Sequence, residues 1–97
     1  MVEIPTKFSS SIRQIVEWHK DSFMVDEIFS TRLNRILEHF FERKLVNGTV
    51  QIEEKELWFL KECISDATNN IEECGIEKNA VWEIYDWIIA ECEKHNV

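Results

Sequence analysis

Hydrophobic positions along the chain fall into four stretches at helical spacing. In the first, Ile12, Ile15, Val16, His19 and Phe23 recur at steps of three and four, with Ser9, Ser10 and Ser11 offering N-caps ahead of them. This helix is expected to end near Phe23. Asp26 can cap a second helix, on which Phe29, Leu33, Ile36, Leu37, Phe40 and Phe41 form one broad apolar face. Asn47-Gly48 stops it. That Asn-Gly pair, between Leu45-Val46 and Val50-Gln51-Ile52, could instead turn a short hairpin, but flanks so short and helix-like favour a helix–helix loop.

A third helix is expected from near Ile52, with Glu53, Glu54 and Glu56 in the first turn, where the helix dipole favours acids. Leu57, Leu60, Ile64, Ala67, Ile71 and Cys74 make its seam, and Gly75 follows as the C′ residue. Asn69-Asn70 is a weak point inside it, where a kink or break is expected. The fourth helix runs from Lys78 or Asn79 to Lys94, within which the stretch AVWEIYDWIIAEC is mostly apolar. At about 100° per residue, Val81, Trp82, Ile84, Tyr85, Ile88, Ile89 and Cys92 share an arc of about 160°, read as core. Trp87 falls outside it, beside Glu83, Glu91 and Lys94.

Short connections favour antiparallel neighbours. The expected fold is all-α: a small up-down bundle of about four helices in a single domain over residues 1–97. Residues 1–8, which carry Val2, Ile4 and Phe8, form an N-terminal arm. A three-helix core with an arm is the competing arrangement.

Composition narrows the class. Ninety-seven residues support one core, and six Phe and four Trp can fill it. Two Gly and one Pro are too few for the turns of an all-β protein. No apolar run approaches the roughly 18 residues of a membrane span, and residues 1–11 lack the pattern of a signal peptide. Three cysteines, Cys63, Cys74 and Cys92, without CxxC spacing, suit a reducing compartment better than a disulfide framework. A cytoplasmic protein is expected.

Charge changes the picture more. Residues 1–48 carry seven Lys/Arg and seven Asp/Glu, whereas residues 49–97 carry four and twelve, so the whole net charge of −8 lies in the second half. A field of that sign disfavours direct contact with nucleic acid or an anionic membrane and favours a basic protein surface.

Candidate chemistry is sparse. Cys92 and His95 have a spacing that can share zinc, and antiparallel third and fourth helices would bring Cys63 to the same height. Small buried thiols are the plainer reading. His19, inside an apolar face, reads as a buried histidine hydrogen-bonded to a neighbour, and His39 as a boundary residue. The many carboxylates sit outside the seams and read as a solvated face. Arg13, Lys20, Arg32, Arg35, Arg43 and Lys44 could serve a small DNA-binding regulator, but the overall charge opposes phosphate contacts. Two isolated glycines exclude the common nucleotide-binding loops. Neither a catalytic residue nor a cofactor is implied.

What remains is acid combined with aromatic rings. Glu83, Trp87 and Glu91 stack at intervals of four along the fourth helix. On the third, Trp58 and Phe59 point away from the seam among Glu54, Glu62 and Asp66. Aromatic anchors rimmed by charge have the composition of a protein-binding hot spot, although rings off a seam also pack against neighbouring helices or an arm. The expected function is a non-enzymatic acidic interaction module for a larger protein with a basic, nucleic-acid-handling surface. In architecture and charge it resembles, as a class, bacteriocin immunity proteins and phage-encoded inhibitors. A self-assembling homodimeric structural or adaptor protein is the alternative.

Overall fold

Residues 2–4 form a strand, β1 (Val2–Ile4), that pairs antiparallel with β2 (Val50–Ile52) in the register Val2↔Ile52, Glu3↔Gln51, Ile4↔Val50. In both strands the outer two residues are buried and the middle one exposed, the alternation that a ribbon lying on a core requires. The computed structural model describes residues 2–23, 26–42 and 50–97, the side chains of Phe41 and Glu42 excepted. Asn47-Gly48 and Leu45-Val46 lie outside the described residues, as do Arg43 and Lys44. Val50–Ile52, read above as the second arm of a possible hairpin, has the N-terminal strand as its partner.

Among the described residues, four long helices and one short one complete the all-α bundle: α1 (Thr6–Ser22), α2 (Glu27–Glu42), α3 (Leu57–Thr68), α4 (Ile71–Cys74) and α5 (Lys78–Lys94). α1 begins ahead of the serines expected to cap it. Pro5, with φ fixed near −54°, leads directly into the first turn, and Ser9 is buried within the helix. The cap expected at Asp26 is present, its carboxylate accepting the Phe29 N–H at 2.7 Å.

The third helix starts five residues later than its acidic run suggested. Glu53 and Glu56 cap one another's backbone, which shapes Glu54–Glu56 into a 3-10 turn before α3. α3 then stops at the expected weak point. The Asn70 side chain donates to Asp66 O at 2.9 Å, and Asn69 Nδ2 lies 3.4 Å from Ser65 O, so both amides bond back onto the last turn. Gly75 closes α4 at φ 75°, a left-handed conformation that suits glycine. A Cβ there would come within 3.1 Å of Gln14 Nε2, which donates to the Cys74 carbonyl.

α5 matches its expected bounds. Its cap is Glu77, whose two carboxylate oxygens accept the Asn79 and Ala80 N–H groups. α3 and α5 run antiparallel and pack together: Cys92, at the end of α5, reaches the Leu57 carbonyl at the start of α3. α1 contacts all four other helices. Ile12, Ile15, Leu33, Ile36, Leu57, Leu60, Ile64, Ile84 and Ile88 are fully buried where these helices meet. Each such side chain contributes about 1.5–3 kcal/mol relative to exposure.

One acid contradicts the reading of a solvated face. Glu56 is 0% exposed; its Oε1 receives the Glu53 N–H and stands 3.2 Å from His39 Nε2. The reciprocal cap draws it inward, which helical spacing alone does not reveal. Among the described residues no helix is long and apolar enough to cross a membrane.

Candidate interaction surface

The rings of α5 are placed differently from the sequence expectation. Trp82, assigned to the core arc, is 42% exposed, its indole edge-to-face with Tyr85 at 5.5 Å. Trp87, assigned to the outer face, is half-buried and packs on Phe8 of α1 at 6.0 Å. The physical reason lies outside α5. Taking the core direction as the mean of Val81, Ile84, Ile88 and Cys92, both tryptophans stand about 110° from it, on opposite flanks. α1 covers the Trp87 flank through Phe8, and Trp82 stays open.

Beside these rings, Glu83 reaches Lys7 at 3.2 Å across the surface. Glu91 and Glu54 converge on one group: His95 Nε2 lies 3.5 Å from Glu91 and Nδ1 lies 3.4 Å from Glu54. The end of α5 and the turn before α3 are thereby drawn together. Asp86, one turn beyond Trp82, is exposed on the same stripe.

At the start of α3, Trp58 is 42% exposed and Phe59 half-buried, the two rings edge-to-face at 5.0 Å. Phe29 of α2 meets both, at 6.0 and 5.2 Å. Trp58 is therefore the outer member of an aromatic cluster that continues inward through His19 and Phe23. Of the two acids placed beside these rings in the sequence reading, Asp66 is tied to His19, the inner member of the same cluster. Asp66 Oδ2 accepts from His19 Nε2 at 2.7 Å, and Glu62 is half-buried. The eight residues singled out from sequence do not share one face. Trp58 and Phe59 meet, Glu54 and Glu91 meet at His95, and Trp87 with Glu83 lies against α1.

His19 has the environment expected of a structural histidine. It is 2% exposed, stacked on Phe23 at 4.5 Å and on Phe29 at 5.7 Å. All three cysteines are buried. Burial first, then the charges of Asp66 and Glu62, push the Cys63 thiol well above its ordinary range. Glu53 is held below the usual carboxylate range by its hydrogen bond to Lys55, with Arg35 and His39 adding to the effect. Cys92 faces a carbonyl and His95 faces two carboxylates, so the conceivable Cys63–Cys92–His95 grouping is not assembled. Among the described residues no group of three or more His, Cys, Asp or Glu is arranged to hold a metal ion.

Sequence reasoning missed two exposed side chains. Ile28, 72% exposed near the start of α2, belongs to no apolar stripe, and Trp82 lay inside one. Solvent exposure of an apolar residue at a stripe's edge depends on which neighbour covers it. No family model matches the chain, and neither does any curated protein or solved structure.

Proposed function

We propose that the protein is a non-enzymatic interaction module that binds a larger protein through a basic surface of that partner. The observation that carries this reading is Trp82, 42% exposed, with the adjacent Glu83 and with Asp86 one turn along, in the half of the chain that holds the entire net charge. A large ring open to solvent supplies an anchor that gains from desolvation, and the carboxylates around it speed encounter with an opposite charge. Trp58, equally exposed on α3, is a second anchor of the same kind. Glu83, Glu91, Glu54, Glu62 and Asp66 add negative potential around them, and Trp87 fixes the α5 frame against α1.

An excess of twelve acids over four bases in residues 49–97 suits a groove built for phosphates, so a nuclease or another nucleic-acid-handling protein is the natural partner, and blocking or protecting it is the natural outcome. This is the behaviour of an inhibitor or immunity-type protein working in the cytoplasm. The test is binding by the variant Trp82→Ala with Asp86→Lys. Loss of the partner with an unchanged circular dichroism spectrum is expected. Unchanged affinity overturns the assignment of this face.

A further inference from the structure

We infer that the outer face of α2 is a docking surface for a second copy of this chain, which it receives through that copy's α5. Glu27, Ile28, Thr31, Arg32 and Arg35 line an open groove of about 440 Å³ on this face. Among its lining residues is Ile28, 72% exposed, more than any other large hydrophobic side chain among the described residues. Four residues on is Arg32, and three further is Arg35, which makes a loose 3.6 Å approach to Glu53.

The occupant is argued from charge and spacing. The groove is net positive and lies in the electrically balanced half of the chain, whereas the other half carries twelve acids against four bases. On α5, Trp82 and Asp86 repeat the spacing of Ile28 and Arg32: an apolar group, then a charge of opposite sign four residues later. Four residues advance any α-helix by about 6 Å. With the two helices parallel, Trp82 over Ile28 therefore brings the Asp86 carboxylate to the Arg32 guanidinium.

Two properties of the complex follow. The surfaces on the two copies differ, so a single contact is head-to-tail and leaves one copy's groove and the other's α5 face open to a further chain. It is a single helix against a single helix, an area that gives weak, concentration-dependent association. The net charge of −8 repels copies at very low salt and is screened beyond about 8 Å at physiological ionic strength. Self-association therefore increases from very low to physiological salt, opposite to the capture of a basic protein. That difference, and the groove residue Arg32, which the acidic face does not use, separate this inference from the partner reading with which it shares Trp82.

Sedimentation velocity of the full chain from micromolar to millimolar concentration, in physiological salt, tests it. The weight-average mass is expected to rise continuously past that of a dimer. Arg32→Asp and Trp82→Ala, each with an unchanged circular dichroism spectrum, are expected to weaken association by at least about tenfold. Mixed in equal amounts, the two variants are expected to form a dimer and stop there, because only the intact α5 of the first fits the intact groove of the second. A wild type that stays monomeric throughout overturns the inference, as do variants that associate like wild type or a mixture that stays monomeric.

Discussion

His19 on α1 and Asp66 on α3 meet through a 2.7 Å hydrogen bond while the His19 ring lies between Phe23 and Phe29. A carboxylate oxygen can only accept, so Nε2 carries the proton, and Nδ1 is left buried without a hydrogen-bond partner among the described residues. The bond is the one polar tie for a ring otherwise enclosed by aromatic carbon. Asp66→Ala strands the buried Nε2–H and is expected to cost about 1–3 kcal/mol in urea unfolding. Asp66→Asn keeps an acceptor oxygen and is expected to cost less. Equal stability of Asp66→Ala and wild type would contradict this role.

Trp82 and Trp87 are expected to separate stability from binding. Removing the half-buried Trp87 opens a gap against Phe8, so Trp87→Ala should destabilise by about 1–3 kcal/mol, below the range for fully buried rings. Trp82→Ala removes a ring that is 42% exposed and set edge-to-face on Tyr85, and should cost less than about 1 kcal/mol. Thermal unfolding of the two variants side by side checks the order. If Trp82→Ala proves the more damaging, Trp82 is a packing residue and its exposure has no functional meaning.

Glu56 joins three elements: its Oε1 meets the Glu53 N–H before α3 and the His39 ring of α2, while its backbone enters the 3-10 turn. Glu56→Ala removes both polar contacts and leaves a void in the core, with an expected loss of about 2–4 kcal/mol. The exposed neighbour Glu54, changed to Ala, should stay within about 0.5 kcal/mol of wild type. Chemical denaturation of the pair distinguishes the buried acid from the solvated one.

Cys63 gives a pH dependence of definite sign. Its native thiol is held protonated, chiefly by burial, above the ordinary value of 9.0, at which the unfolded chain ionises. The stabilisation is complete below that value and is lost as the pH climbs beyond it, because only the unfolded state gives up the proton. Unfolding free energies measured across the alkaline range should fall more steeply for wild type than for Cys63→Ala. The difference in slope should approach about 1.4 kcal/mol per pH unit. Identical slopes would show that the thiol is not shielded.

The helical fold was legible because its signals are local. The three-and-four spacing of Leu57, Leu60 and Ile64, the Asp26 cap, the Asn69-Asn70 break and Gly75 all act within a turn or two of chain. The ribbon was not, because three residues at one end pair with three that follow two helices, and Val2–Ile4 is too short to announce a strand. Burial of Glu56 escaped for a related reason, since a reciprocal cap turns an acid inward against the rule that acids line the solvent side. On α5 the spacing identified the core direction but left Trp82 and Trp87 nearly equivalent. Phe8, some seventy-five residues away in sequence, decides which of them is covered.

The central claim is that the acidic half captures a basic protein through the open face of α5. The most direct measurement is a pull-down from the native host's lysate at low and at high salt, with wild type and the Trp82→Ala, Asp86→Lys variant in parallel and mass spectrometry of the retained proteins. The account predicts a basic protein held by wild type at low salt, released at high salt and missing from the variant. The same protein retained equally by both chains, or only copies of the chain itself retained, would contradict it.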